Sequence, residues 1–204
     1  MKRIFDFIMS GLGLVCLSPL FLVLAIWIKC DSKGPVFYSQ IRVGRGNKDI
    51  RLFKFRSMRP DSDKLGLITV GGHDPRITRS GYYIRKYKLD ELPQLINVFI
   101  GDMSLVGPRP EVRKYVNMYT SEQMHVLDVR PGITSLASIY YRNENDILAA
   151  AENPDKFYVE KVMPDKIAID LEYVDKANLM TDIKLILSTF STIIKKRKCC
   201  VTKM

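Results

Sequence analysis

Between Phe7 and Ile28 the chain carries no charged residue; as a helix this run measures about 33 Å and matches the hydrocarbon core of a bilayer. A chain with such a segment must bury it in a core or place it in lipid, and hydropathy alone predicts a spanning helix. Ser18-Pro19 interrupts the run near its centre. Proline there removes a backbone hydrogen bond and crowds the preceding turn, so a kink is predicted, with Ser18 returning a hydrogen bond to a freed carbonyl. Both flanks are basic, with Lys2 and Arg3 before the run and Lys29 and Lys33 after it, whereas a spanning segment concentrates cations on one side. Two ends on one side suit a re-entrant helical hairpin. The spanning helix stays its rival, because transmembrane helices tolerate proline. A cleaved signal peptide fits less well, since the run is long and Lys29-Cys30-Asp31 offers no small-residue cleavage site.

The rest of the 204 residues can bury one substantial core. Thirty-two Lys and Arg against 22 Asp and Glu leave a formal charge of +10, which points to an anionic partner: nucleic acid, lipid headgroups or phosphorylated substrates. Cys16, Cys30, Cys199 and Cys200 have no paired metal spacing and form no disulfide framework, which fits a reducing cytosol. Only His73 and His125 are present, leaving little room for a histidine triad or a His-rich metal site. Carboxylates are therefore the expected catalysts.

One carboxylate pair stands out, Asp90-Glu91 within Arg85 to Pro110, RKYKLDELPQLINVFIGDMSLVGPRP. Adjacent acids do not both ionise cheaply unless a metal ion or nearby cations compensate, and here Arg85, Lys86 and Lys88 precede the pair while Arg109 follows. Pro93 suits a first helical turn, which sets Asp90 at a helix N-terminus with Leu95, Ile96, Val98 and Phe99 facing a core. On a helix the two acids point apart, so one can attack while the other holds a cation. The same residues also read as an N-capping Asp followed by a Glu favoured by the helix dipole, with solvated lysines around them. Elsewhere, GPVFYSQIRVGRGNKDIRLFKFRSM reads as a strand hairpin broken at Gly34-Pro35 and Gly44-Arg45-Gly46 and edged by cations that include Lys54 and Arg56. His73-Asp74-Pro75-Arg76 reads as a turn. Gly107-Pro108-Arg109-Pro110 stiffens the backbone around one guanidinium, and Arg130-Pro131-Gly132-Ile133-Thr134 is a second stiff turn. Leu179, Ile183, Ile186, Leu187, Phe190, Ile193 and Ile194 recur at helical spacing near a cluster of lysines, as a core face or an interfacial helix.

In order and spacing these pieces resemble the bacterial sugar transferase family, in particular its small monotopic phosphoglycosyl transferases. The resemblance runs from Lys2-Arg3 and Asp6 through Ser18-Pro19, Gln40-Ile41-Arg42-Val43-Gly44, Lys54-Phe55-Arg56-Ser57-Met58, Asp74-Pro75-Arg76-Ile77-Thr78, Leu89-Asp90-Glu91-Leu92-Pro93-Gln94-Leu95, Asp102 to Pro110 and Pro131-Gly132-Ile133-Thr134. It implies transfer of a sugar-1-phosphate from a UDP-sugar to undecaprenyl phosphate with release of UMP, the first membrane step of a surface glycan. Asp90 would be the nucleophile that carries the phosphosugar and Glu91 would hold Mg²⁺. Arg85 and Arg109, with Arg56 and Arg76, would bind phosphate or organise the site. The resemblance further implies a re-entrant segment bending at Ser18-Pro19 with Lys2 and Arg3 near the headgroups, and a monotopic enzyme on the cytoplasmic face of the bacterial inner membrane. It places the chain among the small members, without the four added N-terminal spans of the extended ones. Membrane lipids are expected partners, nucleic acid is not, and a homodimer is left open. The expected fold is α/β of the α+β kind, short helices with a small antiparallel sheet and amphipathic interfacial helices. Its expected parts are a membrane hairpin over 1–33, a catalytic domain over 34–195 and a basic tail over 196–204. One departure bears on sugar or nucleotide contacts: where the family often continues Gly-Trp-Ala-Gln after the PGIT turn, this chain has Ser135-Leu136-Ala137-Ser138. Two other readings remain. A basic membrane-anchored module binding nucleic acid or anionic lipid would leave Asp90-Glu91 without a task, and a different Mg²⁺-dependent phosphotransferase, such as a lipid phosphatase, would release free phosphate.

Overall fold

A computed structural model describes residues 1–60, 62 and 74–194; His73, Lys195 and the expected basic tail 196–204 lie outside the described residues. The apolar run folds as α1 (Lys2–Asp31), which passes Pro19 without an intervening loop. Pro19 has no N–H to offer Val15, and Ser18 Oγ donates to that carbonyl at 2.8 Å, the compensation predicted from the sequence. Leu12, Val15, Leu22 and Val23 are each more than half exposed, an apolar surface that water does not reward. The buried residues of α1, Asp6 and Ser10 in one half and Leu24 and Ile28 in the other, are four apart in each pair and face the rest of the chain.

Both ends of α1 are fastened to that remainder. At the start, Lys2 Nζ donates to Asp182 Oδ2 at 2.5 Å and to the Val106 carbonyl at 3.0 Å, while Arg3 donates to the Val98 and Phe99 carbonyls at 2.5 and 2.8 Å. Lys2 and Arg3 thus bind protein groups at the place where headgroup contacts were expected. At the far end, Asp31 accepts from Ser80 N–H and Oγ at 3.0 and 2.8 Å. Arg56, buried, donates to the Lys33 and Ser32 carbonyls at 2.8 and 2.7 Å. Those carbonyls are left open where the helix ends, so a guanidinium is a fitting cap.

The predicted hairpin is β1 (Phe37–Val43) and β2 (Asp49–Phe55), antiparallel, with Phe37 opposite Phe55 and Val43 opposite Asp49. Leu52 and Phe55 are buried, Phe55 against Leu24, Ile28 and Ile84. Then come α2 (Arg79–Lys86), a 3-10 turn over Leu89–Glu91 and α3 (Gln94–Ile100). Asn97, fully buried on α3, accepts from Phe53 N–H at 3.0 Å and donates to the Arg51 carbonyl at 2.6 Å, fixing α3 on β2. Val98 is in the core as predicted, but Phe99 is not: its ring stacks on Phe7 of α1, centroids 4.6 Å apart.

A second pair, β3 (Ser104–Val106) with β4 (Gly132–Thr134), is parallel, whereas only antiparallel pairing was expected. Parallel strands need a long crossover; residues 107–131 supply one through α4 (Arg113–Val116) and a 3-10 turn over Gln123–Asp128, and three-residue strands are too short to leave a periodic signal. The chain closes with α5 (Leu136–Tyr140), α6 (Glu144–Ala149), α7 (Pro154–Phe157), a π-helical turn over Tyr158–Val162, α8 (Met163–Lys176) and α9 (Leu179–Ile194). Val112, Tyr115, Leu148, Tyr158, Val162 and Ile167 form their core. On α9 the inward positions are Asp182 and Leu185, while Leu187, predicted on the apolar stripe, points outward; the ion pair from Lys2 to the buried Asp182 sets that rotation.

Candidate functional site

The site is built where the hairpin, the turn after α2 and the crossover after β3 meet. Lys88 takes a left-handed conformation, φ 57° and ψ 22°, uncommon for a residue with a side chain, and turns the chain from α2 into the 3-10 turn that carries Asp90 and Glu91. Leu92 and Pro93 are both helical and lead from this turn into α3, so Asp90 sits in a 3-10 turn ahead of the α-helix rather than in the first turn of the α-helix itself. Asp90 is 8% exposed, and its Oδ1 is buried without a hydrogen-bond partner. Such an orphan costs on the order of 1–3 kcal/mol and calls for a reason, of which a catalytic or ligand-binding role is one. Gln94 Nε2, four residues on, is a second buried orphan.

Glu91 is the partnered member of the pair. Arg109 embraces it with both terminal nitrogens, NH1 to Oε2 at 3.2 Å and NH2 to Oε1, and Lys54 Nζ reaches Oε1 at 3.3 Å. Burial pushes Glu91 up, but the Arg109 and Lys54 charges outweigh it and hold the carboxyl well below its usual range. Burial, and then the Glu91 charge, push Asp90 the other way, above the usual carboxylate range, against the pull of Lys54, Arg85 and Lys88. Burial lowers Lys54, with Glu91 opposing. The environment therefore sorts two adjacent acids into a firmly ionised one held by cations and a more basic one with a free oxygen, the separation of roles that acid pairs at reactive sites display.

Arg109 is held in place by its backbone. Gly107 and Gly132, from the two stiff turns, lie against one another: a Cβ on Gly132 would come within 2.1 Å of the Gly107 nitrogen. Gly107 N–H donates to the Thr134 carbonyl at 3.0 Å and Gly132 N–H to the Pro108 carbonyl at 2.9 Å. The GPRP and PGIT segments, separate in sequence, are thus a single clamp. Asp170 on α8 completes it, accepting from Ala137 N–H at 3.2 Å and from the Arg109 backbone and the Ser135 hydroxyl; burial pushes its carboxyl up to about 6.

Of the arginines expected to bind phosphate, Arg85 and Arg109 line one cavity of about 140 Å³, and the Arg85 side chain makes no ion pair or hydrogen bond among the described residues. Its charge acts on both Asp90 and Asp74. Arg76 lies in the predicted turn, its Nε and NH2 on the Asp74 carboxylate at 2.9 and 2.6 Å, and does not line that cavity. Arg56 does not line that cavity either; its terminal nitrogens hold the end of α1, and its buried Nε has no partner. Sequence reading missed the roles of Lys54 and Asp170; the available signals were a lysine inside the apolar strand LFKF and an aspartate in register with Ile167 and Tyr173 on the buried side of α8, both positions that charge rarely occupies unpaired.

Among the described residues no group of three or more His, Cys, Asp or Glu gathers as a metal cage. Mg²⁺ does not require one, since it is commonly held by one or two carboxylates and completed by phosphate oxygens and water. Glu91, ionised beside the orphaned Asp90 oxygen, fits that pattern.

The family model described as bacterial sugar transferase matches residues 1–196. The chain is 38% identical over 196 residues to a UDP-N-acetylgalactosamine-undecaprenyl-phosphate N-acetylgalactosaminephosphotransferase of Aeromonas hydrophila, covering 95% of this chain and 43% of that protein. It is 39% identical to a UDP-glucose:undecaprenyl-phosphate glucose-1-phosphate transferase of Klebsiella pneumoniae, covering 96% of this chain and 40% of that protein. The chain thus spans about two fifths of the length of these two relatives. With an exopolysaccharide production protein of Rhizobium leguminosarum bv. phaseoli it shares 38% identity over 93% of this chain and 92% of the other. With the match spanning nearly every residue from α1 through the Asp90-Glu91 turn and the Arg109 clamp, the chain belongs to the bacterial sugar transferase family.

Proposed function

We propose that this protein transfers a sugar-1-phosphate from a UDP-sugar to undecaprenyl phosphate through a phosphosugar held covalently on Asp90. One observation carries the reading: a buried carboxylate oxygen without a partner, set among Lys54, Arg85, Lys88 and Arg109 in a chain of this family. A carboxylate among that many cations is suited to meeting a phosphate, whose negative charge would otherwise repel it. In the first step an Asp90 oxygen attacks the sugar-linked phosphorus; a P–O bond forms to the carboxylate, the P–O bond to UMP breaks and UMP departs with the electron pair. In the second a phosphate oxygen of undecaprenyl phosphate attacks the same phosphorus, and the acyl phosphate bond breaks to return the Asp90 carboxylate. Dividing the transfer into two displacements lets one pocket serve two large substrates in turn.

Arg85, unpaired and in the same cavity as Arg109, is placed to bind the diphosphate, and Arg109, spread along Glu91, can share its fork with phosphate oxygens. Mg²⁺, held by Glu91, would neutralise charge on the phosphoryl oxygens. The acceptor is a lipid, which gives the exposed apolar surface of α1 its purpose. A straight 30-residue helix measures about 45 Å, yet Lys2, Arg3 and Asp31 at its two ends all bind the same folded remainder. That attachment supports α1 as a re-entrant element with both ends on one membrane face, here the cytoplasmic face of the inner membrane, within a surface-glycan pathway such as that of the exopolysaccharide relative. Purified protein given a panel of UDP-sugars, Mg²⁺ and undecaprenyl phosphate should release UMP with at least one of them; release of free phosphate instead would mark a phosphatase and reject the proposal.

A further inference from the structure

The cavity beside Arg85 and Arg109 has a second wall that the chemistry at Asp90 does not use. It is made by Glu144 and Asn145, in the first turn of α6, and Lys166 on α8. Lys166 lies over the Tyr158 ring, 5.5 Å from its centroid, and its Nζ donates to Glu144 Oε2 at 2.7 Å. The side chains of Lys166 and Glu144 are only 12% and 27% exposed, so the pair is fixed in place instead of waving in solvent. The other Glu144 oxygen, and the Asn145 amide, make no hydrogen bond among the described residues. Below them the floor is already satisfied: Glu111 takes Arg42 at 3.0 Å and the Tyr158 hydroxyl, and Leu148 is buried.

A carboxylate on this wall disfavours a phosphate, while two unpaired polar groups beside a fixed ammonium suit hydroxyls, which donate and accept at once. Arg85 and Arg109, proposed above to bind phosphate, line the same cavity. We infer that Glu144, Asn145 and Lys166 form a hydroxyl-recognition subsite for a ring attached to the phosphate that Arg85 and Arg109 hold, an inference that rests on the sugar-phosphate transfer proposed above. Such a ring has two sources in a nucleoside diphosphate sugar, the transferred sugar and the ribose. A site built to hydrogen-bond a hydroxyl rejects strongly the analogue that lacks it, so this wall selects the substrate.

The test uses the full chain in detergent or nanodiscs, with E144Q, which keeps the shape of the wall, and N145A, at an exposed position outside the core. UMP release is measured across a UDP-sugar panel, with inhibition by UMP and by the matching sugar-1-phosphate measured separately. For both variants KM is expected to rise about tenfold while kcat changes less than threefold. If the ring is the sugar, inhibition by sugar-1-phosphate weakens and that by UMP holds; if it is the ribose, the reverse is found. Unchanged KM for every sugar together with unchanged inhibition by both ligands, or a loss confined to kcat, overturns the inference. A failure of the unaltered enzyme to release UMP from any UDP-sugar overturns the transferase reading itself, and UDP-sugar binding by calorimetry, expected to weaken in E144Q, then decides the subsite alone.

Discussion

At the scale of single residues, the site depends on how Arg109 and Asp170 are placed. Replacing Arg109 with Met leaves Glu91 to Lys54 alone; with the Arg109 side chain about a third open to solvent, the loss in stability is expected at about 1–3 kcal/mol, and UMP release should fall by more than a hundredfold. Denaturant unfolding and a steady-state assay separate the two effects. Asp170 gives a pH signature. Its carboxyl is raised to about 6 in the fold, so the folded state binds its proton more readily than the unfolded chain, and its contribution favours folding at low pH and is lost as pH rises through about 6. The cost above that pH is on the order of 3 kcal/mol. D170N removes this dependence, so its melting temperature relative to the unaltered protein should climb between pH 4.5 and pH 7.5; a constant difference would assign the effect elsewhere. Asp90, Glu91 and Arg85 stand close in sequence, and the structure sets Arg109 on Glu91 from 18 residues away; the residues alone suited an acidic helix start as well, and their roles came from the family resemblance. Lys54 was not legible, because β2 brings it from 37 residues away, and neither was Asp170, whose partners are mainly backbone groups with no sequence signature. Arg56 looked like a phosphate ligand for want of any sign that a helix end needed its donors.

Among the elements, the strand hairpin and the helical character of the uncharged run were plain from alternation, glycine turns and missing charge, and the Ser18 bond to Val15 followed from proline's missing N–H; the run is one helix of 30 residues, where two helices joined by a break at Ser18-Pro19 were expected. The β3–β4 pair was not plain. β4 lies inside the Arg130 to Thr134 segment that read as a stiff turn, β3 is three residues long and leaves no period, and their parallel pairing arises from close backbone contact. That contact makes a sharp prediction. G132A drives a methyl group into the Gly107 backbone and should cost about 2–3 kcal/mol, with loss of activity as Arg109 shifts. G46A, where φ is +64° but nothing lies within 4 Å of the new Cβ, should cost about 1 kcal/mol and leave UMP release near its original rate. Equal costs by thermal unfolding would mean that the two-glycine clamp is not what holds GPRP.

For the whole molecule, the charge of +10 suggested an anionic partner but could not name one. Much of the charge around the site is spent internally, in Arg109–Glu91, Arg42–Glu111 and Lys166–Glu144, which leaves the free guanidinium of Arg85 and the exposed apolar side of α1 as the informative features. Both ends of α1 bind one folded body, so the account requires them on one side of the membrane. In a variant with all native cysteines changed to serine, a cysteine in a short extension before Met1 and a second at Lys33 should react with an impermeant maleimide from the same face; reaction from opposite faces would make α1 a spanning helix. Intact-protein mass spectrometry reads the phosphosugar proposed on Asp90 directly. Enzyme incubated with a competent UDP-sugar and Mg²⁺, without undecaprenyl phosphate, should gain the mass of one sugar phosphate. That adduct should disappear on adding the acceptor and never form in D90N. An adduct of the same mass on D90N, or turnover that persists at its full rate in D90N, would contradict that proposal.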